Sequence, residues 1–503
     1  MKTKKRKKAA QRQRDLQSRL AHRDFTSPSQ PLLGDQPIYY ELAERTRVIS
    51  MGGIGALHTL AMKLRLPDYL NAQVAVLQRH LPYWDSDHIL SLCYNVLTGG
   101  EALEDLNRLR QEEGYLEALG VPRLPAPSTA GDFLRRFDEG DLEKLQEGIN
   151  QARRQVWWRM PPRLRDQATL DVDGTLVETA GQCKEGMDYC SYKQQWGYGP
   201  LLLSLAETRE VLYVVNRPAS QPSQQGAPVW IDRALGHLQP VFGTVWVRGD
   251  SAFSLTRHFD AWEEKGVLFI FAYDAYDNLI TQAQTLPASA WQGLVRPPTY
   301  EVQTQPRHRP EKIKAEVVRQ RRFERLETVG EAVATFFYQP THCRQSYRML
   351  VLRKQLALSQ GVQRLREEYR YFFYITNELM VPPRELLLFY DERGGQEHLI
   401  GQLKSSLPVF YAPTNTLLAN GAYMVIAALA WNLKAWYGLL LHEPALQQQL
   451  GRMDFKQFLQ RFVQIPCQIL ASGRRLIYRI VHFTPDTLTF LDLFAQLKAL
   501  RFP

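Results

Sequence analysis

The sequence predicts an α/β fold: a core of alternating strands and helices, interrupted by a β-rich insertion and flanked by helical regions at both ends. Three observations carry this. Apolar residues recur at three and four spacing from about Ile38 to Met160. After MPPRLRD, short apolar runs alternate with helical segments, the texture of a sheet covered by helices. Helical spacing returns from Pro383 almost to the end.

With 503 residues the chain can hold several domains at about 100–200 residues each. The expected divisions are a basic, disordered tail over 1–36, a helical region over 37–160, the core over 161–277, the insertion over 278–378, the second part of the core over 379–410, and a helical region over 411–503. In the first helical region Ser128 and Thr129 are expected to cap a helix carrying Arg135 and Arg136 on its solvent face, either facing DNA or simply part of a helical bundle. Within the core, DQATLDVDGTLVET reads as a buried strand and YGPLLLSLAETREVLYVVNR as a hairpin. APVWIDRALGHL reads as a helix, FGTVWVRGDSAF as a strand ending at a turn, and VLFIFAYDA as a further strand. The insertion brings strands such as RMLVLRKQL and YRYFFYITN, and a basic run from Arg307 to Arg325 suited to DNA or a second subunit. The final region, including ILASGRRLIYRIV, is expected to be helical, with Gly473, Arg474 and Arg475 available for dimer or DNA contact.

A hydrophobic content of 45% and a charged content of 23% are ordinary for a globular protein, while the net charge of +10 points to an anionic partner, nucleic acid before membrane. Six of the first eight residues are Lys or Arg, with no apolar core of a secretory signal. The one long apolar stretch, Leu417 to Leu441, is interrupted by Asn420, Asn432 and Lys434 and reads as a buried core helix. Five cysteines form no CxxC pair and no zinc-spaced cluster, which fits a reducing, cytoplasmic setting.

Carboxylates carry the chemistry. Asp173 sits in an apolar strand, where an ionised group is costly unless paired or bound to a metal. Asp171 shares its strand face, so one would ligate and the other support. Asp250 follows an apolar run at its carboxyl end, where open α/β sheets present ligand-binding groups. Read as one helix, FYDERGGQEHLIGQLK puts Tyr390, Arg393, Glu397 and Lys404 within an arc of about 60°. Three acids without a His/Cys cluster suit a hard cation, Mg²⁺ or Mn²⁺, and two such ions fit phosphodiester displacement. The competing reading makes the aspartates turn or capping residues and the stripe a solvated face with ion pairing. Near the first strand, SYKQQWGYGP sets Lys193 beside Trp196 and Tyr198, a mixture suited to single-stranded or flipped bases, or to packing of a turn on the sheet.

The residues resemble bacterial insertion-sequence transposases of the DDE class, which have an RNase H-like core. The DGT at Asp173 to Thr175 and the RGDSAF at Asp250 match the strand-borne acids of that class. Tyr390, Arg393, Glu397 and Lys404 reproduce every interval of its Tyr-Arg-Glu-Lys signature. The wording GQCKEGMDYCSYKQQWGYGP is similar to the insertion-sequence thirteen-eighty family. The resemblance implies Asp173, Asp250 and Glu397 as catalytic, metal-holding residues, two Mg²⁺ ions (or Mn²⁺), and Asp171 as a supporting acid. It further implies DNA contact by Tyr390, Arg393 and Lys404, cleavage of transposon terminal repeats and joining of the 3′-hydroxyl to target DNA. The expected assembly is a homodimer on double-stranded DNA, in a bacterial cytoplasm. A silent DNA-binding descendant and a metal-dependent structure-specific nuclease stay open as alternatives.

Overall fold

The computed structural model describes residues 2–21, 39–40, 46–80, 82–179, 181, 183–296, 324–360, 363–472, 475–481 and 483–501. Most of the basic run from Arg307 to Arg325, and Gly473 and Arg474, lie outside the described residues.

The first helix is a correction to the expected disordered tail. Lys2–Ala21 (α1) is helical, because its Lys, Arg, Gln, Ala and Leu are strong helix formers; the charge density outweighed that propensity in the sequence reading. Among the helices that follow are Asp85–Leu97 (α2), Pro127–Leu134 (α3) and Glu139–Arg159 (α4). The second of these also differs from expectation. Pro127, not Ser128 or Thr129, opens α3, since proline at the first helical position forgoes only an N–H that would be unpaired anyway. The helix stops at Leu134, so Arg135 and Arg136 lie just past its end instead of along its face.

The core strands are Gln167–Gly174 (β1), Leu201–Leu205 (β2), Val211–Val215 (β3), Thr244–Gly249 (β4) and Leu268–Tyr273 (β5). The insertion adds Glu324–Tyr338 (β6), Tyr347–Gln360 (β7) and Gln363–Thr376 (β8). All join one mixed sheet in the order β6-β7-β8-β5-β4-β1-β2-β3, with the short strand Gln292–Gly293 outside β6. A hairpin pairs β1 antiparallel to β2 and β2 to β3, while β1, β4 and β5 run parallel. That order and polarity form the RNase H-like core. The insertion is not a separate layer: β8 pairs antiparallel with β5 from Phe373 opposite Tyr273 to Thr376 opposite Ile270, so the meander extends the core sheet.

Alternation along the strands sorts the two faces. Leu170, Val172, Val245, Val247, Phe269 and Phe271 point to one side and pack on the helix Ala227–Leu238 (α5). Trp246 and Ile270 point to the other side, under Leu386 of the helix Pro383–Asp391 (α6). Asp171 and Arg248 lie on that second face too, which is why the strand register matters for the site.

Past α6 come Gly394–Ser405 (α7), Leu417–Leu439 (α8) and Pro444–Arg452 (α9). From Ala419 to Leu439 every residue of α8 is buried, against α2, α4 and β3. Among the described residues no helix is long and apolar enough to cross a membrane. The final region is less helical than expected: ILASGRRLIYRIV forms a hairpin of Cys467–Ser472 and Arg475–Ile480, and the first of these strands also pairs with Arg47–Ile49. Apolar and β-branched residues either side of the Ser-Gly pair in the sequence favour that outcome. Both helical ends share one hydrophobic core, which includes Leu60, Ile89, Leu145, Met424, Leu429 and Phe458.

Candidate active site

Three elements bring the acids to one end of the sheet. Asp173 is the seventh residue of β1, and Asp250 follows β4, parallel and adjacent. Glu397 lies in the first turn of α7, where a carboxylate suits the positive end of the helix dipole. Between the aspartates sits Arg393. Its Nη2 is 3.2 Å from Asp173 Oδ2 and 3.9 Å from Asp250 Oδ2. Asp250 turns its other oxygen to the backbone N–H of Ala252, 3.0 Å away, capping the turn Ser251–Phe253. Asp250 is thus a capping residue as well as a member of the acid cluster, but of the turn Ser251–Phe253 and not of the SLTRHF segment that follows.

The electrostatics follow from this crowding. Burial pushes the Asp173 carboxyl up to about 6; Arg393 opposes the shift, while Asp250 and Glu397 add to it. Burial pulls the Arg393 pKa down, yet Asp173, Tyr390, Asp250 and Asp171 together raise it above its ordinary value. The cluster is therefore a place where negative charge is held in excess and one guanidinium answers it. Among the described residues no three His, Cys, Asp or Glu side chains stand grouped as a metal cage. The donor chemistry nevertheless fits a hard cation: all three groups are carboxylates, and Arg393 occupies the position of a cation between two of them.

Asp171 does not belong to that cluster. Its two oxygens accept from Arg248 Nε and Nη2 at 2.6 and 2.9 Å, a forked pair with both side chains almost wholly buried. Arg248 also donates to the carbonyl of Phe389, and Gln396 donates its amide to the Asp171 carbonyl at 2.9 Å. This lock ties β1 and β4 to α6 and α7, and so positions Arg393 and Glu397. Arg248 and Gln396 were missed by the sequence reading. The signal for Arg248 was available, since a cation in the apolar run VWVRG calls for a buried partner as much as Asp173 does.

The expected single helix from Phe389 to Lys404 is two helices that meet at Glu392 and Arg393. The four signature residues are still gathered. Tyr390 donates to the Gly249 carbonyl at 3.3 Å and meets Tyr374 edge-on; burial raises its pKa to about 12. Lys404 donates to the Leu176 carbonyl just beyond β1, at 2.8 Å, and burial lowers its pKa, with Lys193 contributing. Added Cβ atoms at Gly394 and Gly395 would meet nothing, so these glycines leave open space at the start of α7.

Lys193 and Trp196 lie on and beside a small sheet of Val177–Glu178, Gln195–Tyr198 and Asp188–Cys190. Trp196 is 54% exposed, and Lys193 lies 5.1 Å from the ring centroid of Tyr192. Tyr198, by contrast, is buried and donates its hydroxyl to the Glu185 carbonyl. Arg135 pairs with Asp132 at 2.8 Å and Arg136 lies near His88, both within the helical region.

Comparison with known proteins agrees with the resemblance at the level of class. The family model described as "Transposase DDE domain group 1" matches residues 43–502. No curated protein matches. Among solved structures, a piggyBac transposase synaptic complex with hairpin DNA is similar over 90% of this chain and 88% of its own, at 9% identity and a TM-score of 0.35, too slight a likeness to bear further weight. The match over nearly the whole length decides the class: the chain belongs to the transposases with a group 1 DDE domain.

Proposed function

We propose that this transposase cuts DNA at the ends of a mobile element and joins the freed 3′-hydroxyl to target DNA, with Asp173, Asp250 and Glu397 as the catalytic acids. The observation that carries this reading is the meeting of Asp173 of β1 and Asp250 past β4 at the guanidinium of Arg393, with Glu397 of α7 in electrostatic reach of Asp173. Family membership supports it, the Tyr-Arg-Glu-Lys intervals fit the DDE insertion-sequence class, and the wording GQCKEGMDYCSYKQQWGYGP favours the insertion-sequence thirteen-eighty group.

The reaction is a pair of in-line displacements at phosphorus. Water attacks the phosphodiester at the element's end and the 3′-oxygen leaves; that 3′-oxygen then attacks a phosphodiester of the target and displaces its 3′-oxygen. The three acids would hold Mg²⁺ or Mn²⁺, two ions in this reading, which supply charge neutralisation for the attacking and leaving oxygens. Arg393, drawn off the acids, presents a fork to phosphate oxygens, and Lys404 a point charge. Tyr390 orients the joint between α6 and α7. Trp196 and Lys193 offer a stacking face and a cation for a base drawn out of the duplex. Arg135 and Arg136 extend DNA contact into the helical region, and two copies of the chain would hold the two element ends.

Labelled DNA bearing the element's own ends, incubated with Mg²⁺ and either wild type or Glu397→Gln, tests the reading. Cleavage and joining by the wild type only, with equal DNA binding by both, supports it. Binding without cleavage by the wild type favours the silent DNA-binding descendant. Cleavage without joining favours a nuclease.

A further inference from the structure

At the opposite end of β1 from Asp173, a cleft of about 460 Å³ opens between the turn joining β2 to β3 and the helices α8 and α9. Its position is fixed by the Ala206 N–H, which donates to the Thr169 carbonyl near the start of β1. Four residues separate Thr169 from Asp173, about 13 Å along a strand at roughly 3.3 Å per residue. The cleft is therefore apart from the acid cluster.

Its chemistry is that of an anion site. Arg209, from the turn, and Arg452, from the end of α9, line it and repel one another; burial first, and then Arg452, lower the Arg209 pKa. Neither makes an ion pair among the described residues. Arg163 lines it as well and donates to Gln447 at 2.6 Å. The acid at the rim, Glu207, is already engaged: it accepts from the Thr169 N–H at 2.8 Å and the Thr169 hydroxyl at 2.7 Å. The Thr208 hydroxyl lines the cleft, buried and without a hydrogen-bond partner. Two further facts argue against chance. Arg209 has a φ of +57°, a left-handed conformation that glycine or asparagine adopts at less cost. Like charges held close in a cleft, with Arg209 partly buried, repel one another less when an anion lies between them.

We propose that this cleft binds a backbone phosphate of DNA at a point remote from the phosphodiester being cut, with Arg209 and Arg452 as its ligands. The proposal rests on DNA being the substrate. It assigns DNA contact to the end of the sheet opposite the acid cluster.

Binding of a fluorescent duplex to the full-length protein, measured by anisotropy between 50 and 200 mM NaCl, tests it with Arg209→Gln, Arg452→Gln and the double variant. Each phosphate contact contributes about 0.9 to the slope of log K against log salt. The double variant, which loses that one phosphate contact, should therefore lower the slope by about 0.9 while its melting temperature stays at or above that of wild type. Arg209→Gly removes the same guanidinium while relieving the left-handed backbone, and should lower the slope by up to about 0.9 in a fully folded protein. An unchanged slope in folded variants overturns the proposal. So does calorimetry in which inorganic phosphate binds wild type and not the double variant while the DNA slope is unchanged, since the cleft would then take a free anion. A wild type that never cuts DNA but shows this loss of slope in the variants would sink the catalytic reading and leave this one standing.

Discussion

Asp171 and Asp173 are two residues apart on one strand, yet they do different work. Asp171 is locked in a buried fork with Arg248, and removing one partner of such a pair leaves a charge stranded in the core. Asp171→Asn should therefore cost about 3–5 kcal/mol in chemical denaturation. Asp173→Asn should change stability by about 1 kcal/mol or less, because burial already disfavours its charged form, and should abolish cleavage. Equal stability losses in the two variants would mean that the assignment of supporting and catalytic acid is wrong. Arg393 makes a second prediction. With its guanidinium between Asp173 and Asp250, Arg393→Gln should tighten Mn²⁺ binding by the DNA-free protein, read by calorimetry, and weaken binding to the element's ends. Weaker Mn²⁺ binding would show that Arg393 organises the acids instead of competing for them.

Among elements, α8 decides most. Its length and apolar character invite a membrane reading, and its interior polar groups explain why that fails. Asn432 accepts from the Val211 N–H and donates to the Val211 carbonyl, each at 2.9 Å, tying the helix to β3. Trp436 donates to Glu210, which also accepts from Arg153 and Trp157 of α4. Lys434 is buried over the Trp431 ring, and burial, with Arg209 adding to it, lowers its pKa to about 7. The unfolded chain keeps this proton to about 10.5 and the folded chain only to about 7, so between those values the unfolded state binds more protons and stability rises with pH. Below 7 both states carry the proton and the fold bears the buried charge. Denaturation at pH 6, 8 and 10 should show Lys434→Met more stable than wild type at pH 6, with the gap closing towards pH 10. A gap that does not vary with pH would mean that Lys434 keeps its charge in the fold.

For the whole molecule, the two helical ends are one body. Gly53 opens the helix Ile54–Lys63, and a Cβ there would lie 1.9 Å from the Phe462 carbonyl oxygen; Gly52 donates its N–H to the Ile465 carbonyl. Gly53→Ala should thus lower the melting temperature of the entire chain in a single transition. Residues 161–410 alone should fail to give a folded protein, because α4 and α8 cover β3 and the face of the sheet beside it. A cooperative melt from that fragment would contradict this.

How much was legible in the sequence depends on the range of the interaction. The strand over VWVRG, the helix Ala227–Leu238, the hairpin from Leu201 to Val215 and the intervals of Tyr390, Arg393, Glu397 and Lys404 are local patterns, set by periodicity and turn chemistry. These, with the class of fold, the sequence determined by itself. The pairing of Asp171 with Arg248, the break of one helix into α6 and α7, the joining of the insertion to β5 and the shared core of the two ends were decided only in the tertiary structure. The reason is physical: each depends on groups far apart in the chain, whose meeting is favoured by burial and charge compensation that no local window contains.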